Sequence, residues 1–178
     1  MPRLNTRILL SCAAIGVVTG LLFMVTGGLH IIVITIAPWA YGALIGMYFL
    51  PGAIAQGTYR LPLVGLITIV LAGLLTAISP IQSLGWAVFA YLVMIGVLQE
   101  LPWAVTGYRR RTRTGAVIGS LVSGALLGLL FALVFQGKTG SVWLDVAQAS
   151  LTVVSVLLFT LLGWVIAKAL HRAGVGRA

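Results

Sequence analysis

The chain has 178 residues, 61% of them hydrophobic and 7% charged, with a formal net charge of +9. Soluble domains carry about 25% charged and roughly 45–50% apolar residues. The composition therefore excludes a soluble domain and marks residues 1–178 as one integral-membrane unit, expected to be all-α. The single cysteine, Cys12, excludes an internal disulfide.

A helical span needs about 20 mostly apolar residues, and six such runs follow one another. The first is Ile8–Thr26. It has a basic start and an apolar core but no small-x-small cleavage site, so it reads as a span and not as a secretory leader. The second is Ile36–Gln56, interrupted by Pro38 and Pro51. The third, Leu63–Ile78, is short, and Pro62 suits its first helical position. The fourth is Leu84–Gly107, the fifth Gly115–Gln136 and the sixth Val142–Leu170. Gly27-Gly28, Gly57–Arg60, Ser79-Pro80, Gly107–Thr114 and Gly137–Gly140 read as connections. The β-branched stretch His30–Thr35 reads as a loop or cap.

Lys and Arg set the orientation of membrane helices. With the amino terminus inside, Arg3, Arg7, Arg60, Arg109, Arg110, Arg111, Arg113, Lys168, Arg172 and Arg177 all fall on the inner side and only Lys138 outside. That segregation supports a compact bundle of six spans with both termini cytoplasmic. The run Tyr108–Arg113 (YRRRTR) then reads as a topology determinant near anionic headgroups, and no nucleic-acid partner is expected.

Small residues recur four apart: Cys12, Gly16 and Gly20 on span 1, Gly42 and Gly46 on span 2, and Gly115, Gly119, Ser123 and Gly124, Gly128 on span 5. This spacing lets helix backbones approach closely. For span 5 it reads as packing within the chain. For span 1 a second chain is a fair alternative.

The chain has two acids. Glu100 lies inside span 4, and no Lys, Arg or His lies at its depth. Such a residue costs about 2.5–3.5 kcal/mol on insertion scales and is a functional hypothesis by default. It is either protonated or paired with a ligand. Gly96 and Trp103 share its face, Gln99 precedes it, and Pro102 frees the carbonyl of Leu98, which then needs a partner. Span 2 contributes Trp39, Tyr41 and Tyr48. Span 6 opens with a polar stripe of Asp145, Gln148, Thr152 and Ser155. Together these read as an outward-facing pocket for a flat, nitrogen-rich cation. Each residue also has a plainer role. Trp39, Trp86 and Trp143 suit an interfacial belt, Tyr41 a core, Thr152 and Ser155 bonds to their own helix, and Asp145 a helix start. Metal ligands, a nucleophile–base pair and a phosphate-binding loop are all missing, so neither an enzyme nor a cofactor is expected.

The stretches Pro38–Pro62 (PWAYGALIGMYFLPGAIAQGTYRLP) and Gln99–Arg111 (QELPWAVTGYRRR) resemble the second and fourth spans of substrate-binding S components of energy-coupling factor (ECF) vitamin transporters, in particular the hydroxymethylpyrimidine/thiamine branch. The third span departs from that branch, with no acid in LVGLITIVLAGLL, and Val97 and Leu98 replace glycines before the Glu. The resemblance implies a bacterial plasma-membrane protein that binds thiamine or its pyrimidine precursor from outside. It also implies docking on a coupling transmembrane subunit driven by two cytoplasmic ATPases. Glu100 would pair with the aminopyrimidine, Trp39, Tyr48 and Trp103 would stack on rings, and Asp145 and Gln148 would line the entrance. Cys12, Gly16 and Gly20 would face the coupling subunit. An S component for another vitamin, a small proton-coupled transporter using Glu100, and a non-transporting scaffold are the rival readings.

Overall fold

Apolar runs in a membrane satisfy their backbone groups internally, and the chain does so entirely through helices among the described residues. The computed structural model describes residues 5–59, 61–79, 85–105, 107–108, 112–134 and 141–175. Arg3, Arg60, Arg109, Arg110, Arg111, Lys138 and Arg177, which carry most of the charge-segregation argument, lie outside the described residues, as do Pro80, Leu84 and Gln136.

The first helix, α1 (Thr6–Ile36), has 31 residues, about 46 Å at 1.5 Å per residue. It runs through Gly27-Gly28 and His30–Thr35, where a connection was expected. An unpaired backbone group in lipid costs several kcal/mol, whereas a helical glycine costs about 1 kcal/mol and a β-branched residue less. Continuing the helix is the cheaper course. The hydroxyl of Thr35 donates to its own helix at Ile31 O, 2.8 Å away.

The second span is a broken rod. A 3-10 turn at Pro38–Tyr41 leads into α2 (Gly42–Ile45), a second 3-10 turn at Gly46–Phe49, and α3 (Leu50–Tyr59). Pro38 takes the first turn, where its missing N–H costs nothing. The irregular backbone finds partners on other helices, as it must at membrane depth. Gly46 N–H donates to Ser155 Oγ at 3.0 Å, and Ser155 O–H donates to Ala43 O. Gln99 Nε2 donates to Phe49 O at 3.0 Å.

The remaining helices are α4 (Val64–Ala77), α5 (Trp86–Val105), α6 (Arg113–Val134) and α7 (Val142–Arg172). With the broken rod counted once, the described chain has six helical segments. Four helices, α1, α5, α6 and α7, are long and apolar enough to cross a membrane, and α4 is a shorter apolar helix. Pro62 does not begin α4: Leu63 intervenes at φ 63° and the helix starts at Val64.

Cys12, Gly16 and Gly20 face the chain's own α4. Cys12 is fully buried. A Cβ on Gly16 would lie 3.0 Å from Thr68 O, and one on Gly20 2.9 Å from Ala72 O. The stripe assigned above to a partner subunit is therefore closed over within the chain. On α6, Gly124 and Gly128 meet Val153 and Ala149 of α7. Trp86 and Trp143, at the starts of α5 and α7, are largely exposed, as interfacial residues are.

Candidate functional site

Glu100 has hydrogen-bond partners within the chain. It is buried, and its Oε1 accepts from Gly65 N–H at 2.9 Å. Its Oε2 accepts from the Tyr108 hydroxyl at 3.3 Å. Gly65 is the second residue of α4, so its amide is one of the orphan donors at the positive end of that helix. The N-cap residue Leu63 offers α4 no side-chain cap, and Glu100 reaches across from α5 to supply one. Beside it, Trp103 Nε1 donates to Gln56 Oε1 at 3.3 Å. The carbonyl of Leu98, freed by Pro102, accepts from Ser123 Oγ at 3.1 Å.

A second cluster lies toward the opposite end of the bundle. Five rings form a closed cycle with neighbouring centroids 5.3–5.8 Å apart: His30 to Tyr41, Tyr41 to Phe131, Phe131 to Tyr91, Tyr91 to Tyr48, and Tyr48 back to His30. They come from α1, both 3-10 turns, α5 and α6. The broken rod places Tyr41 and Tyr48 in one cycle because Gly42 and Gly46 let it press onto α7. A Cβ at either position would overlap α7 backbone, at Gln148 and Ser155 respectively.

The cycle carries hydrogen-bonding groups the protein does not use. His30 Nδ1 lies 2.8 Å from Thr26 O. A carbonyl only accepts, so Nδ1 holds the proton, and the neutral ring presents Nε2 as an acceptor. That Nε2 is buried with no partner, as are the Tyr91 hydroxyl and both amide atoms of Gln148. Gln148 is fully buried on α7, its backbone against Gly42, the neighbour of Tyr41. Thr152 donates to Gln148 O at 2.9 Å.

The residues singled out in the sequence thus divide. Tyr41 and Tyr48 belong to the ring cycle, with Gln148 and Thr152 behind them on α7. Trp39 is 39% exposed and outside the cycle. Asp145, in the first turn of α7, lines a groove between α6 and α7 with Ala125, Leu129 and Val146. Glu100, Gln99 and Trp103 sit elsewhere: Glu100 is nine residues from Tyr91 on α5, about 13 Å along the axis. The sequence does not single out His30, Tyr91 or Phe131. Tyr91 and Phe131 look like ordinary span residues, and His30 lies in a stretch that reads as a loop or cap. A lone histidine inside a continuous apolar run was the available signal.

This arrangement of helices is the S-component fold. The chain superposes on a solved structure described as "Crystal structure of an S-component of ECF transporter" with a TM-score of 0.80, at 17% identity, over 97% of this chain and 88% of that one. Residues 8–126 match the family described as "ABC-type cobalt transport system, permease component", and the chain belongs to that family. Comparison with curated proteins gave no match. The protein is a multi-pass membrane protein, and its family and fold are those of transporter subunits and not of enzymes.

Proposed function

We propose that the chain is the substrate-binding S component of an ECF importer in a bacterial plasma membrane. It has six spans and cytoplasmic termini, and it captures thiamine or its hydroxymethylpyrimidine precursor for uptake through a coupling subunit and two ATPases. Both the family and the fold support the class. The observation that carries the ligand is the closed cycle of five rings with two unused polar atoms on it, His30 Nε2 and the Tyr91 hydroxyl, beside the α7 segment that bears the unpartnered Gln148 amide. Aromatic faces suit a planar heterocycle, and a few placed polar groups fix its orientation. The Gln148 amide offers one donor side and one acceptor, the complement of a ring nitrogen beside an exocyclic amine. His30 Nε2 accepts from a further donor, and the Tyr91 hydroxyl serves either way.

The pairing role expected of Glu100 passes to Gln148, because the carboxylate already holds Gly65 and Tyr108. The same commitment weighs against a proton relay through Glu100. The family's description names cobalt. A bare cobalt ion needs several His, Cys or carboxylate ligands, and among the described residues no three such groups come together. An organic ligand fits the residues better.

The test is thermal stability of the purified protein against thiamine, hydroxymethylpyrimidine, other vitamins and cobalt. A ligand at about 100 times its Kd adds about 2.7 kcal/mol. The expected result is a shift with the pyrimidine compounds that Tyr48→Ala abolishes. A shift with another vitamin alone would keep the class and discard the ligand. A shift with cobalt alone would overturn the site, and no shift at all in folded protein would favour a scaffold.

A further inference from the structure

A small cavity lies between α3, α5, α6 and α7, near Glu100 and apart from the ring cycle. Its volume is about 10 Å³, and Phe49, Gln56, Gln99, Trp103, Ser123 and Thr160 are among its walls. Space of roughly 10–15 Å³ holds one water, which needs 2–4 polar partners.

Three wall residues have an unused polar atom: Gln56 Nε2, Gln99 Oε1 and Thr160 Oγ1. All three side chains are more than nine-tenths buried. Thr160 stands out among the buried threonines. Thr19, Thr58, Thr68, Thr76 and Thr152 each donate to the carbonyl four residues back, whereas Thr160 bonds nothing. The two amides are fixed by their other ends. Gln99 gives its Nε2 to Phe49 O, leaving an acceptor, and Gln56 takes Trp103 Nε1 on its Oε1, leaving a donor. Ser123 has given its proton to Leu98 O and keeps lone pairs.

We propose that this cavity is a hydration site: a buried water bonds Gln99 Oε1 and Thr160 Oγ1, with Ser123 completing its shell. A mixed set of donors and acceptors suits water, which does both. The Thr160 hydroxyl can donate while Gln99 Oε1 and Ser123 accept, and no carboxylate lines the cavity. Exchange runs past Thr160 and Ala116, which also line a groove of about 270 Å³ between α6 and α7 with Trp164 and Lys168. The water completes the polar shell of Gln99, the side chain that holds Phe49 O beside Tyr48.

Radiolytic hydroxyl labelling tests this, because a bound water generates the radical beside buried residues. Phe49 and Leu92 are both almost completely buried, but only Phe49 borders the cavity. With rates divided by intrinsic residue reactivity, Phe49 should label faster than Leu92 in the full chain, and Thr160→Val should remove the difference. Equal rates in the wild-type chain would overturn the proposal, as would an excess at Phe49 that survives in a folded Thr160→Val protein. Labelling at Phe49 suppressed by sodium chloride but not by N-methylglucamine chloride would assign the cavity to a cation instead.

Discussion

Replacing Gln148 with leucine should raise stability and destroy binding together. Gln148 is fully buried, and neither amide atom has a partner. An unsatisfied buried polar group costs about 1–3 kcal/mol, and leucine fills a similar volume without that cost. The bond from Thr152 reaches the backbone of residue 148 and survives the change. The ligand-free variant should therefore gain about 1–3 kcal/mol, at roughly 2–4 °C in apparent Tm per kcal/mol for a chain of this size. The ligand loses both amide contacts, at least about 2 kcal/mol, or roughly 30-fold in Kd. Tryptophan-fluorescence melting of detergent-purified protein reads the first effect and calorimetric titration with hydroxymethylpyrimidine and thiamine the second. A lower Tm with unchanged affinity would refute the reasoning, because Gln148 would then be a structural group and the ligand would lie elsewhere.

Glu100→Gln keeps an acceptor for Gly65 N–H but loses the charge at the α4 terminus, so Tm should fall by the equivalent of about 0.3–2 kcal/mol with ligand affinity unchanged; weakened binding in titration would return Glu100 to the site. Glu100→Ala leaves Gly65 N–H buried and unpaired, and melting should show a loss of about 1–3 kcal/mol. Ser123→Ala strands the Leu98 carbonyl at a similar cost, again read by melting and without effect on Kd. Gly46→Ala puts a methyl into the Ser155 carbonyl, and size-exclusion chromatography should show little or no monodisperse protein.

The six helical segments were legible because apolar runs and breakers are written in order along the chain. The need of Leu98 O for a partner was legible too, since Pro102 removes the donor that would occupy it. That the partner is Ser123 was not, because the serine lies in another helix and reads as one of a row of small residues. The partner of Glu100 is hidden for a related reason. It is a backbone amide at a helix end, and no side chain advertises it. The span-1 stripe shows the same limit from the other side: spacing says that a backbone comes close at Gly16 and Gly20, and only the fold says that it is α4. The extent of α1 is not legible, because Gly27-Gly28 breaks a helix in water more readily than in lipid.

The polar groups inside this bundle sort by what they serve, and that sorting locates function better than charge does. Most close on backbone. Ser155 and Gln99 hold the broken rod, Ser123 repairs the proline break, Glu100 caps α4, and the buried threonines other than Thr160 bond their own helices. A polar side chain with such a partner explains its own presence in the membrane. The buried side-chain atoms without one fall into two groups among the described residues: those of His30 and Tyr91 in the ring cycle with Gln148 on the neighbouring α7, and those of Gln56, Gln99 and Thr160, which line the inner cavity. Leaving so many atoms unpaired would cost several kcal/mol in total, much of a typical margin of 5–15 kcal/mol. Each group is therefore best accounted for by something it binds. Under the two proposals the inner group holds a water and the outer group a planar ring, whose faces the aromatic side chains suit. Glu100, the most conspicuous residue in the sequence, belongs to neither group, since its hydrogen bonds are already made.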